Sequence, residues 1–117
     1  MSECNQAVSA DMPPADAILQ IIAGARVAWC VYIAAELGLA DLLTDGPKGS
    51  EELAKATGTH APSLYRVLRM LASAGVFAED EQGRFALAPI GATLQTDVPG
   101  SLRAWVALQL GEAYDQA

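Results

Sequence analysis

The apolar positions along this chain change period several times, and each change marks an element. The first long run extends from Ile18 to Leu37 and does not keep to one stripe. Ile18, Ile22, Ala25, Trp29 and Tyr32 or Ile33 form one face, while Leu19, Ala23, Val27, Cys30 and Ala34 form the neighbouring one. This spacing predicts a helix from Asp16, a good capping residue, to about Glu36. A helix that is apolar nearly all round is buried on several sides. One short chain has little bulk with which to bury it.

Beyond that helix the pattern breaks into short pieces. Gly38 fits the position just past a helix end, "LADLL" gives a short helix, and Asp45-Gly46-Pro47 marks a turn. Ser50 can cap a helix over "EELAKAT", whose Glu51 and Glu52 suit the positive end of the helix dipole. After Gly58 a second helix enters at Thr59 or Ala61, with Pro62 fitting its first position. Leu64, Val67, Leu68 and Leu71 repeat at helical spacing until Gly75 stops it.

"VFAEDEQGRFALA" then reads as two short strands around an acidic turn at Gln82-Gly83, a β-hairpin. "PIGATLQT" supplies one more helical turn, and Pro99-Gly100 breaks the chain. A final helix starts with Ser101 as its cap and carries Leu102, Trp105, Val106, Leu108 and Leu110 on more than one side. No stop signal precedes Ala117, as though the chain ended within or just after a helix. The expected fold is mainly α: a winged helix-turn-helix with a β-hairpin wing and extra N- and C-terminal helices. Residues 1–15 are expected to be a disordered leader and residues 16–117 one domain.

Composition sharpens the picture in one respect. The chain has 117 residues, and 52% are hydrophobic. Average usage is about 45–50%, so some apolar surface is expected to face a partner. A transmembrane span over Ile18–Leu37 would place Arg26 near the bilayer centre, at about 2.5–3.5 kcal/mol, and no basic cluster flanks the run. The N-terminus lacks the basic and apolar regions of a secretory signal. The two cysteines, Cys4 in a polar stretch and Cys30 in an apolar one, suit a reduced, cytoplasmic protein.

Charge decides against the function that the scaffold first suggests. A helix carrying Arg66 and Arg69 one turn apart could enter a DNA groove. The net charge is −7, however. Between Ser50 and Ala88 stand four basic residues (Lys55, Arg66, Arg69, Arg84) and five acidic ones (Glu51, Glu52, Glu79, Asp80, Glu81). Affinity for DNA rests on several phosphate contacts by lysine and arginine, and the wing tip is acidic. A DNA-binding dimeric regulator is therefore the alternative reading, and no nucleic acid partner is expected.

No catalytic, cofactor-binding or metal-ligating set emerges. His60 reads as a capping or surface residue, and Asp41 and Asp45 as a solvated face and a turn cap. No glycine-rich nucleotide loop is present.

Three stretches taken together carry a family resemblance. "AAELGLADLL", the helix "LYRVLRMLASAGVF" and the run "FALAPIGATL" resemble the N-terminal dimerisation domain of S-adenosylmethionine-dependent O-methyltransferases, including bacterial natural-product enzymes. The resemblance spans about Ala17 to Tyr114. It implies a homodimer whose terminal helices intertwine, and a lid over a small-molecule methyl acceptor. It also implies an S-adenosylmethionine site in a Rossmann-like domain that these 117 residues do not include, and hence no turnover by the chain alone. The residues expected at the dimer interface are Ile18, Ile22, Ala25, Trp29, Ile33, Leu102, Trp105 and Val106.

Overall fold

In the computed structural model the described residues are 11–115, with side chains as far as 110. The expected leader therefore lies mostly outside the described residues, as do Cys4 and the end of the chain. Helix α1 (Pro14–Leu37) begins two residues before Asp16, so the boundary at residue 15 falls inside it. Pro14 supplies the fixed backbone angle that favours the first helical position, and Asp16 stands in the first turn instead of capping it. Gly38 ends α1 with φ 69°, and its N–H reaches the Ala34 and Ala35 carbonyls. A short helix α2 (Leu39–Leu42) follows.

Strand β1 (Lys48–Gly49) leads directly into α3 (Ser50–Thr57), and α4 (Ala61–Ser73) comes next. The end residues differ by one position from the sequence reading: Gly49 precedes α3, and Pro62 is the second residue of α4. α3 and α4 pack against each other, and α4 buries Leu64, Leu68 and Leu71. Gly75, at φ 84°, lets the Val76 N–H return to the Leu71 carbonyl at 2.9 Å and turns the chain into the sheet.

Strands β2 (Phe77–Glu79) and β3 (Arg84–Leu87) form the expected hairpin, with Phe77 opposite Leu87 and Glu79 opposite Phe85. At its tip Asp80 accepts the Gln82 and Arg84 amides, both at 2.9 Å, and Gly83 takes φ 78°. One element is added to the expected hairpin. β1 pairs antiparallel with β3 through Lys48 and Phe85, so the sheet has three strands in the order β1-β3-β2. Two residues bounded by Gly46-Pro47 and a helix are too few to show alternation, which is why the sequence pattern hides the strand.

Helix α5 (Pro89–Ala92) sits on β3, and α6 (Arg103–Asp115) returns along α1. The core joins α1, α2, α3, α4, the hairpin and α6, with Leu39, Leu53, Leu68, Leu71, Phe77 and Phe85 fully enclosed. Among the described residues no buried side chain is polar.

A polar clasp at the surface fixes α6. The Arg103 guanidinium donates to the Ala35 carbonyl at 2.7 Å, to Asp41 Oδ2 at 3.2 Å and to Thr96 Oγ1 at 2.7 Å. Asp41 in turn accepts the Thr96 hydroxyl at 2.6 Å and the Thr96 amide at 2.8 Å. Those hydrogen bonds, the Thr96 hydroxyl foremost, together with the Arg103 charge hold the Asp41 carboxyl below its ordinary pKa. Asp41 is thus a partner in a clasp and not the freely solvated carboxylate the sequence suggests.

A carboxyl lowered in the folded state stabilises the fold above the ordinary aspartate value, about 3.9, and that contribution is lost as pH falls through the lower folded value. Melting temperature is therefore expected to drop below about pH 4. In Asp41→Asn the melting temperature at neutral pH should be lower and the acid-side loss shallower. Equal acid slopes in the two proteins would place the titration elsewhere.

Candidate functional site

The most conspicuous surface is apolar. From Pro14 to Arg26 every residue of α1 except Ala17 is exposed. Only the last third of the helix enters the core, through Cys30, Ala34 and Ala35. The expectation that one chain lacks the bulk to cover α1 agrees with this placement. By length and composition α1 is also sufficient to cross a membrane, and it carries Arg26 amid its apolar residues.

The residues expected at an interface fall into two groups. Ile18 (53%), Ile22, Ala25 and Trp29 (40%) are exposed on α1, and Ile33 is half-buried. Trp105 (58%) stands on α6 and Leu102 just before it, both exposed. Val106 is the exception. At 7% exposure it belongs to the chain's own core, where it pins α6. On a helix apolar on several sides, periodicity cannot tell the face turned inward from the face turned out, and that ambiguity misplaced it. Leu19, Ile21 and Leu108 are exposed as well and extend the surface.

Eight large apolar side chains (Ile18, Leu19, Ile21, Ile22, Trp29, Leu102, Trp105 and Leu108) are thus turned to water. Single exposed apolar residues are normal on a surface, but five of these eight stand on α1, and such a concentration points to an interaction site. Trp29 stacks on Tyr32 with ring centroids 5.2 Å apart, so the two rings form one flat ledge on α1.

The basic residues that raised DNA binding are placed differently from one another. Arg69 is tied to Glu79 at 3.1 Å and donates to the Tyr65 hydroxyl at 3.0 Å. Arg84 is tied to Asp80 at 3.1 Å in the hairpin turn. Arg66 instead stands with Arg26 beside an apolar groove of about 200 Å³, between α1 and α4, whose other lining residues are Trp29, Cys30, Val67 and Met70. Two of the three arginines on α4 and the hairpin are therefore neutralised by carboxylates of the same hairpin. His60 lies at the entry of α4, where its Nδ1 lies 2.8 Å from the Ser63 hydroxyl, as a surface residue would. Cys30 is a buried free thiol whose pKa burial pushes up, which disfavours the reactive thiolate. Among the described residues no three His, Cys, Asp or Glu side chains gather as metal ligands would.

Comparison with known proteins gives this surface a context. Residues 19–97 match a family model described as an O-methyltransferase dimerisation domain. The chain is 45% identical over 114 residues to phenazine O-methyltransferase PhzM of Lysobacter antibioticus, covering 97% of this chain and 33% of that protein. The crystal structure of LaPhzM superposes with a TM-score of 0.80 at 45% identity, over 89% of this chain and 31% of that one. NcsB1, an O-methyltransferase from neocarzinostatin biosynthesis solved in complex with S-adenosyl-L-homocysteine, gives 0.70 at 36% identity, over 77% and 30% of the two chains. The chain thus spans about a third of the length of these relatives.

Proposed function

The chain belongs to the family of O-methyltransferase dimerisation domains, and from that premise we propose that it joins two copies of a methyltransferase and helps to enclose its methyl acceptor. The observation that carries this reading is the set of large apolar side chains exposed on α1 and on and beside α6 among the described residues. The scaffold beneath it is read as a winged helix-turn-helix, α3 and α4 forming the helix pair and β2 and β3 the wing. On this reading α4 is a packing element: its leucines enter the core, and Arg69 braces the wing through Glu79. A DNA-reading regulator is set aside. Its reading head would carry an acidic wing, and the known relatives are methyltransferases.

The acceptor is read as a small molecule and the methyl donor as S-adenosylmethionine, the compound whose demethylated product is bound in NcsB1. The described residues do not fit that cofactor. Their three strands are all antiparallel, and none leads through a glycine-rich loop into the helix of a parallel sheet. No catalytic step is assigned to them. The donor site and the reacting groups are placed in a catalytic domain outside these 117 residues. Neither a membrane nor a nucleic acid is included among the partners, and the protein is placed in the cytoplasm.

The interface is proposed to use Ile18, Ile22, Ala25, Trp29, Ile33, Leu102 and Trp105. Sedimentation velocity at micromolar concentration should show two chains. Trp105→Glu exposes a charge in place of a large apolar anchor, and buried aromatic anchors carry ~2 kcal/mol or more of such interfaces, about thirtyfold in affinity. That variant is expected to dissociate at micromolar concentration while its far-UV circular dichroism stays unchanged. A stable wild-type monomer would refute the reading.

A further inference from the structure

Three arginines of this acidic chain are held by carboxylates: Arg69 by Glu79, Arg84 by Asp80 and Arg103 by Asp41. Among the described residues Arg26 and Arg66 have no such partner, and both are exposed. They stand on different helices, yet the fold brings both to the groove of about 200 Å³ between α1 and α4. Like charges repel, so two cations gathered without a carboxylate carry a cost that an anion between them removes. The rest of the lining is apolar. Cys30 is buried and Val67 half-buried, so these two lie deepest. Trp29, whose ring is already stacked on Tyr32, is a fixed wall, and Met70 offers a flexible thioether suited to contact with aromatic rings. Val67 also lines a second apolar hollow of about 180 Å³ that continues along α1 and α4 as far as His60.

We propose that this groove binds a small aromatic carboxylate, with its ring in the apolar slot and its charge at Arg26 and Arg66. The inference goes beyond the dimer reading and does not need it: neither arginine, nor Cys30, Val67 or Met70, belongs to the proposed interface. Three features select this class of ligand. A guanidinium presents a planar fork that matches the two oxygens of a carboxylate, and it also stacks on aromatic faces. The slot between the arginines offers no polar side chain, so the body of the ligand must be apolar. A net charge of −7 repels nucleic acid and other polyanions at long range, whereas a small anion with one charge can approach. Exposed arginines alone hold an anion weakly, and burial of the ring supplies the remaining affinity.

Isothermal titration calorimetry of the full chain with 2-naphthoate tests the assignment. Binding with a sub-millimolar dissociation constant is expected, weakening as salt screens the exposed charges. The neutral 2-naphthamide lacks the charge-assisted bonds and should bind about tenfold more weakly. Acetate, which has no ring, should give no heat at millimolar concentration. Arg26→Gln and Arg66→Gln should each weaken 2-naphthoate about tenfold, while Arg84→Gln, which breaks only the hairpin pair, should leave it unchanged. Far-UV circular dichroism checks that these exposed substitutions keep the fold. Equal affinity for the acid and the amide, or indifference to both groove substitutions, would reduce the groove to a nonspecific apolar patch and overturn the proposal. So would tighter binding of octanoate, which would make the slot an aliphatic one, or the absence of heat from wild type with millimolar 2-naphthoate. Sedimentation of the same samples reports on the dimer separately, so failure of either reading is recognised by itself.

Discussion

Phe85→Ala is expected to cost about 3–5 kcal/mol, enough to leave much of the domain unfolded at physiological temperature. Phe85 lies on the central strand of the sheet and is fully enclosed. It also meets Tyr65 of α4 edge-on, with ring centroids 6.0 Å apart and planes at 66°, a geometry worth about 0.5–1.5 kcal/mol beyond area burial. One ring therefore holds the helix pair to the sheet. At roughly 4–8 °C per kcal/mol for a small domain, melting should fall by at least about 12 °C. Phe85→Leu keeps most of the volume and should cost about 1.5 kcal/mol. Thermal and urea denaturation followed by circular dichroism decide it. A loss below about 1 kcal/mol for the alanine variant would show that the sheet and helices are joined elsewhere.

The second large effect comes from adding an atom. Gly91, in α5, has no side chain because none fits: a Cβ there would run into the Val76 carbonyl oxygen, and it would lie 3.0 and 3.1 Å from atoms of the Phe77 ring. A backbone carbonyl cannot swing aside as the tip of a flexible side chain can. Gly91→Ala must therefore lift α5 from the sheet, straining the 3.3 Å bond from the Ala88 amide to Val76 and the 2.8 Å bond from the Leu102 amide to Thr93. Overpacking costs about 1–3 kcal/mol, and lost hydrogen bonds about 1 kcal/mol each, so roughly 3 kcal/mol in all is expected. Gly24→Ala provides the contrast. Nothing stands within 4 Å of a Cβ at that position, and in the middle of a helix alanine should stabilise by about 0.5–1 kcal/mol. If both variants melted alike, steric fit at Gly91 would not be what selects glycine.

These two positions also show what a reader of the sequence could and could not see. The repeat of Leu64, Leu68 and Leu71 announces α4 because an amphipathic helix repeats its apolar positions with the turn of the backbone. Gly38, Gly58, Gly75 and Gly83 announce element ends because each takes a positive φ. The apolar face of α1 was legible too, since its residue types exceed what one chain can cover. Gly91 was not, because close approach between elements leaves no local pattern. The clasp of Arg103, Asp41 and Thr96 was hidden for the same reason: its members lie 7 to 62 positions apart. Val106 and Trp105 are neighbours in sequence with opposite fates, and only the packing of α6 on α1 separates them.

An interior without a single polar side chain among the described residues has a consequence for how such a domain changes over generations. No group inside it depends on one particular donor or acceptor, so aliphatic residues of equal volume can be exchanged there with little penalty. Exchanges that conserve volume should therefore be tolerated beneath the surface. The tight glycines, the guanidinium that ties the last helix to the first, and the face offered to another molecule are the positions where descent leaves a recognisable signature.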